Sequence, residues 1–131
     1  MRSLHISVVL ERDAGEVYAF AADPDNLPRW AAGLAQSDVR REGSALVTHS
    51  PMGEVSITFA PQNAFGVLDH DVRLPSGQVV HNPLRVVTHP QGSEVVFTLR
   101  QRDLTDEEFE RDAAAVRQDL EQLRALLDEG V

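Results

Sequence analysis

Leu104-Thr105-Asp106-Glu107-Glu108-Phe109 decides the fold, because what it opens is a helix with one long apolar side. Thr105 and Glu108 spell a capping box: the threonine oxygen accepts from the amide of residue 108, and the glutamate reaches back to the amide of residue 105. Leu104 and Phe109 flank it at the two staple positions. Phe109, Ala113, Val116, Leu120, Leu123 and Leu127 then recur at spacings of four, three, four, three and four, which makes a continuous apolar stripe. Gly130 marks the stop. A helix of about 24 residues is about 36 Å long, and so narrow a stripe needs a long apolar partner.

That partner has to come from residues 36–103, where short alternating runs are divided by turn signals. These are Arg41-Glu42-Gly43, Pro51-Met52-Gly53, Pro61-Gln62-Asn63, Pro75-Ser76-Gly77 and Pro90-Gln91-Gly92. Consecutive hairpins explain the spacing better than crossover helices, so six antiparallel strands are expected in a meander. Leu4, Ile6, Val8 and Leu10 alternate with polar residues and add a first strand. Asp13, with Glu16 three residues on, caps a short helix that presents Val17, Tyr18, Phe20 and Ala21. Asp23-Pro24 is expected to open a second, with Leu27, Trp30 and Leu34 on its buried side. The expected class is α+β: a seven-stranded curved antiparallel sheet wrapped on a long C-terminal helix, with two short helices after the first strand, residues 1–131 forming one domain.

Within this order, Glu16-Val17-Tyr18-Ala19-Phe20-Ala21-Ala22-Asp23-Pro24-Asp25-Asn26-Leu27-Pro28-Arg29-Trp30 resembles the opening helix pair of the START-like superfamily, also called SRPBCC. That superfamily includes polyketide cyclase/dehydrase-type proteins and the plant Bet v 1 allergens. The resemblance covers the whole chain at the level of element order, and it implies the helix-grip fold with a cavity for a hydrophobic small molecule between sheet and helix. Members range from lipid carriers to cyclases, hydrolases and chaperone cofactors. They share no catalytic motif, so the resemblance implies fold more than function.

Composition excludes several classes of activity. With 42% apolar and 25% charged residues the chain is of ordinary globular make-up. The absence of cysteine removes disulfides, thiolate nucleophiles and sulfur-ligated metals. All 12 basic residues are arginine, so there is no catalytic lysine. No glycine-rich phosphate loop, G-x-S-x-G elbow or His-x-x-x-His pair occurs, and neither a cofactor nor a metal is expected. A net charge of -9 argues against nucleic acid. Met1 to Leu10 lacks the apolar run of a secretory signal and no stretch has the length of a membrane span, so membrane insertion is not expected and a cytoplasmic location is. Residues 103–129 hold ten acids and three arginines. They make either a solvated helix face or an acidic docking surface. The oligomeric state stays open, a homodimer included.

Turn chemistry sets expected registers. Pro75-Ser76-Gly77 as a three-residue loop pairs Leu74 with Gln78 and puts His70 opposite Asn82. Two-residue turns at Pro51-Met52 and Gln62-Asn63 pair Thr48 with Val55 and Val55 with His70, and a loop from His89 to Gly92 pairs Asn82 with Leu99. One rung then reads Thr48, Val55, His70, Asn82, Leu99, on the face shared by Leu46, Ile57, Phe59, Leu68, Val72, Val80, Leu84, Val86, Val95 and Phe97. His5, His49 and His81 fall on the outer face, His81 opposite Asp71, and His89 falls in a turn.

The candidate ligand-binding residues are therefore His70, Asn82, Thr48, Trp30 and Phe97. His70 is the candidate acid/base, with Asn82 setting its tautomer or holding a carbonyl. The plainer alternatives stay beside these: His70 satisfies Asn82 and a buried water, Thr48 packs as β-branched residues do, and Trp30 is core rather than cavity rim. An empty apolar void of about 300 Å³ would cost about 7 kcal/mol, so such a space persists only for a ligand or water. Three functions follow: a binder of a small hydrophobic or aromatic molecule, a polyketide cyclase/dehydratase-like enzyme using His70, or a protein-interaction module of the chaperone-cofactor kind.

Overall fold

Two antiparallel sheets share the work expected of one. The computed structural model describes residues 1–31, 39–50 and 53–130. The elements in chain order are β1 (Ser3–Leu10), α1 (Ala14–Ala22), α2 (Leu27–Trp30), β2 (Val39–Glu42), β3 (Ala45–Ser50), β4 (Gly53–Phe59), β5 (His70–Arg73), β6 (Val79–Asn82), β7 (Leu84–His89), β8 (Gly92–Arg100) and α3 (Asp106–Asp128). The first sheet runs β1-β8-β7 and the second β2-β3-β4-β5-β6, so the described residues hold eight strands rather than seven. The extra strand comes from Pro83. Proline has no amide to donate to a ladder and forces the residue before it into an extended turn-like path, so the expected sixth strand breaks there and its two halves join different sheets. Pro83 still accepts from the Thr98 amide at 3.0 Å.

α3 follows its sequence closely. Thr105 accepts from the Glu108 amide at 3.1 Å and Glu108 accepts from the Thr105 amide at 2.9 Å, closing the capping box. Phe109, Ala113, Leu120, Leu123 and Leu127 are buried along the stripe and Val116 is half-buried. The helix rests chiefly on β1, with β8 and α2 also against it. None of the described helices is long and apolar enough to cross a membrane.

Asp13 caps α1, accepting from the amides of Gly15 and Glu16. Val17 and Ala21 are buried, while Tyr18 and Phe20 are packed at the edge of the core. Asp23-Pro24 does not begin the second helix. The Asp23 side chain accepts from the Asp25 amide and makes a turn, and α2 is a single turn with Pro28 near its start and Leu27 and Trp30 buried. Leu34 and the Pro51-Met52 turn lie outside the described residues, although the Thr48–Val55 pairing expected from that turn is present.

One register departs from expectation. His70 pairs with Phe59, not Val55, because the connection between β4 and β5 is no two-residue turn. Asn63 organises it: its side-chain oxygen accepts from the amides of Phe65 and Val67, its amide group donates to the carbonyls of Pro61 and Val67, and its backbone amide donates to the Tyr18 hydroxyl. Gly66 then passes so close to β7 that an added Cβ would stand 2.1 Å from the Val86 carbonyl oxygen, and its φ of +73° suits glycine. The slip is by an even number of residues, so the faces are unchanged. Leu46, Leu68, Leu84, Val86 and Val95 are buried on the inner face as expected.

Candidate functional site

A cleft of about 460 Å³ opens where the two sheets part, and its size suits a small organic ligand. β6 is the edge of the second sheet and β8 the centre of the first. Between them β7 has turned away at Pro83. Val72, Leu74 and Val80 bring the inner face of the second sheet to the cleft; Phe97 and Leu99 come from β8, and Val116 closes it from α3. Asn82 is a polar group in this wall, while Arg102 and Asp112 stand at the helix end. Burial raises the Asp112 carboxyl, with the charge of Arg102 pulling it down.

His70 sits beside the cleft rather than in it. Its Nδ1 lies 3.0 Å from the Leu68 carbonyl oxygen, which can only accept, so Nδ1 carries the proton and Nε2 keeps its lone pair. The ring is tilted against Phe59 at 4.8 Å and edge-on to Phe97 at 6.0 Å between centroids. Burial lowers its pKa from the ordinary 6.5, and the Leu68 hydrogen bond and the Asp69 charge oppose that shift. A neutral imidazole with Nε2 as acceptor is the form this setting favours. Leu68, not Asn82, therefore fixes the tautomer.

The expected rung comes apart into two pieces. His70 faces Asn82 in the ladder and Thr48 faces Val55, but the four-residue difference between Phe59 and Val55 separates the two pairs. The β7–β8 ladder has the expected register and ends at Leu84–Phe97, so Asn82, in the other sheet, has no ladder partner in Leu99. Asn82 and Phe97 line the cleft; Trp30 and Thr48 do not. Both are buried all the same, and the Trp30 Nε1 and Thr48 Oγ1 atoms have no hydrogen-bond partner among the described residues. Arg102, Asp112 and Val116 escaped the sequence reading. Val116 belongs to the helix stripe and reads as core, and nothing in Gln101-Arg102-Asp103-Leu104 distinguishes a turn that aims an arginine inward from an ordinary polar one.

Outside, the expected His81–Asp71 pair is present at 2.7 Å with both side chains more than half exposed. Asp69 does more than Asp71. It takes two hydrogen bonds from the Arg85 guanidinium, at 2.8 and 2.7 Å, and a third from the Leu84 amide, tying the start of β7 to the entry of β5 across the gap between sheets. The Arg85 hydrogen bonds hold its carboxyl below the usual range against some desolvation. A second depression, of about 610 Å³ between α1 and residues 62–66, has Tyr18 as its one titratable side chain among the described residues, already engaged by Asn63.

No family model and no curated protein matches this sequence. Solved structures do match its fold. XoxI from Bacillus cereus superposes with a TM-score of 0.74 at 15% identity, over 100% of this chain and 99% of that one. DynU16, a protein of the dynemicin biosynthetic locus, gives 0.75 at 12% identity, covering 98% of this chain and 48% of that one. Ara h 8.0201, a Bet v 1-like protein, gives 0.68 at 11% identity over 98% of each chain. Identities this low speak to the fold alone, and on that level the chain has the START-like, or Bet v 1-like, helix-grip fold.

Proposed function

We propose that the chain binds a small apolar or aromatic molecule in the cleft between β6, β8 and α3. The observation that carries this is the state of the second sheet's inner face: Val72, Leu74 and Val80 alternate inward as core residues do, yet remain half-buried beside a cleft of about 460 Å³. Apolar side chains left in contact with water forgo about 25 cal/mol for each Å² not covered, and a ligand of matching shape recovers it. The likeness to Ara h 8.0201 and XoxI supports the fold in which such a cleft lies between sheet and helix. Native mass spectrometry of the protein taken from its own host should show an adduct of small-molecule mass, absent from a folded Val80→Glu variant. Bare protein from the host, with no melting shift from a broad set of aromatic compounds, would rule the reading out.

A second reading is favoured by His70 itself. The Leu68 carbonyl leaves Nε2 as a base, and burial keeps the ring neutral at pH 7. Acid/base chemistry on a carbonyl compound, of the cyclase or dehydratase kind, would use that lone pair, reached from the cleft past Phe97. DynU16, as a product of a biosynthetic locus, has the same fold.

A further inference from the structure

We propose that the cleft selects acids: Arg102, three-quarters buried at its mouth with no side-chain hydrogen bond among the described residues, is the receptor for a carboxylate or comparable anionic group on an otherwise apolar ligand. This rests on the cleft binding proposed above and adds the charge of what is bound.

Arg102 is an unusual residue for its place. It is the one non-glycine with positive φ, +54°, among the described residues. It occupies the second position of a turn closed by the Leu104 amide on the Gln101 carbonyl at 3.0 Å. Glycine, asparagine or aspartate takes such a left-handed position at low cost, and arginine does not. What the conformation achieves is to turn the side chain to the cleft, where it is only 26% exposed. Among the described residues it makes one long ion pair, 3.9 Å to the exposed carboxylate of its neighbour Asp103, past hydrogen-bond distance. A guanidinium carries five donors in a planar fork that matches a carboxylate.

The surroundings agree. In a chain of net charge -9, this cleft has Arg100 on its rim as well as Arg102, and Asp112 as its one carboxylate among the described residues. Asp112 and Arg102 make no ion pair among the described residues, yet the charge of Arg102 acts on the Asp112 carboxyl. Asp112 is thus close enough to weaken an incoming anion and too far to satisfy Arg102.

Two fluorescent probes with the same rings test the charge. 8-Anilinonaphthalene-1-sulfonate carries an acid group and N-phenyl-1-naphthylamine lacks it. Wild type should bind the sulfonate about tenfold tighter, and Arg102→Gln should bring the ratio of the two affinities to about one. Asp112→Asn should move the sulfonate the other way, to tighter binding. Arg102→Gly keeps the test free of folding effects: it should raise the melting temperature, since glycine suits the backbone, and still abolish the preference for the acid. Equal affinity for the two probes in wild type, or a preference untouched by Arg102→Gln, would overturn the inference; if the neutral probe still shifts the resonances of Phe97 and Val116, cleft binding survives. Neither probe shifting those resonances would overturn both.

Discussion

On β1, β7 and β8 the inward side chains Ile6, Val8, Leu84, Val86 and Val95 are between 0% and 7% exposed. On β4, β5 and β6 their counterparts Ile57, Phe59, Val72 and Val80 stay half-buried. Both sets alternate as strands with one buried face should, so alternation alone does not separate them. The difference is the helices: α3 lies along β1 and reaches β8, and α1 packs on β7 and β8. The covered sheet supplies stability. The second sheet retains apolar surface that a bound molecule can cover, and the cleft lies along the line between the two.

The strongest way to break this comparison is a matched pair of truncations. Leu120→Ala removes a fully buried side chain from the seat of α3 on the first sheet and should cost about 2–5 kcal/mol in denaturant unfolding. Val72→Ala, on the half-covered face, should cost about 1 kcal/mol and weaken ligand binding more than it weakens the fold. Equal costs would mean the two sheets are equally packed. Thr105→Ala comes next, at about 1 kcal/mol, because it opens the capping box that starts α3 without touching the cleft. A loss of ligand affinity in that variant would show that the helix start and the cleft are coupled.

The smallest effect is a pH dependence. The folded pKa of His70 lies below its ordinary 6.5 because of burial. Above that value both folded and unfolded states hold the ring neutral. As pH falls below it the unfolded chain takes the proton first, so stability is lost until the folded ring titrates too. Asp69 and Asp71 oppose the shift and His81 reinforces it. His70→Gln should flatten this part of the stability curve, and an unchanged curve would contradict the buried setting. Asp69, whose carboxyl is lowered chiefly by Arg85, acts only in the acid range below its ordinary 3.8.

How far the sequence could be read depended on how local each signal was. The capping box and stripe of α3 involve neighbours within a turn of one another, and they hold in detail. Registers set by tight turns hold for the same reason: Leu74 and Gln78 bond across Pro75-Ser76-Gly77, and His70 falls opposite Asn82. Where a long connection is shaped by one side chain, as Asn63 shapes residues 60–69, turn signals mislead, and they match Val55 to His70 in place of Phe59. Pro83 could have warned of the break between β6 and β7, since a proline argues against a central strand. The candidate site was half legible. Asn82 and Phe97 follow from alternation, whereas Arg102 depends on a backbone angle that its residue type does not announce.

The pairing of β1 with β8 also governs the order in which the molecule can form. His5 and Thr98, whose side chains meet at 3.0 Å, are 93 residues apart. The hairpins β2-β3, β3-β4 and β5-β6 close short loops and need only their own neighbours, so they are cheap to start. β1 has to wait, with its apolar face unpaired, until β8 has been synthesised. This well-covered sheet therefore assembles later than the hairpins of the second one, and Leu4, Ile6, Val8 and Leu10 are residues a growing chain must shield until β8 arrives.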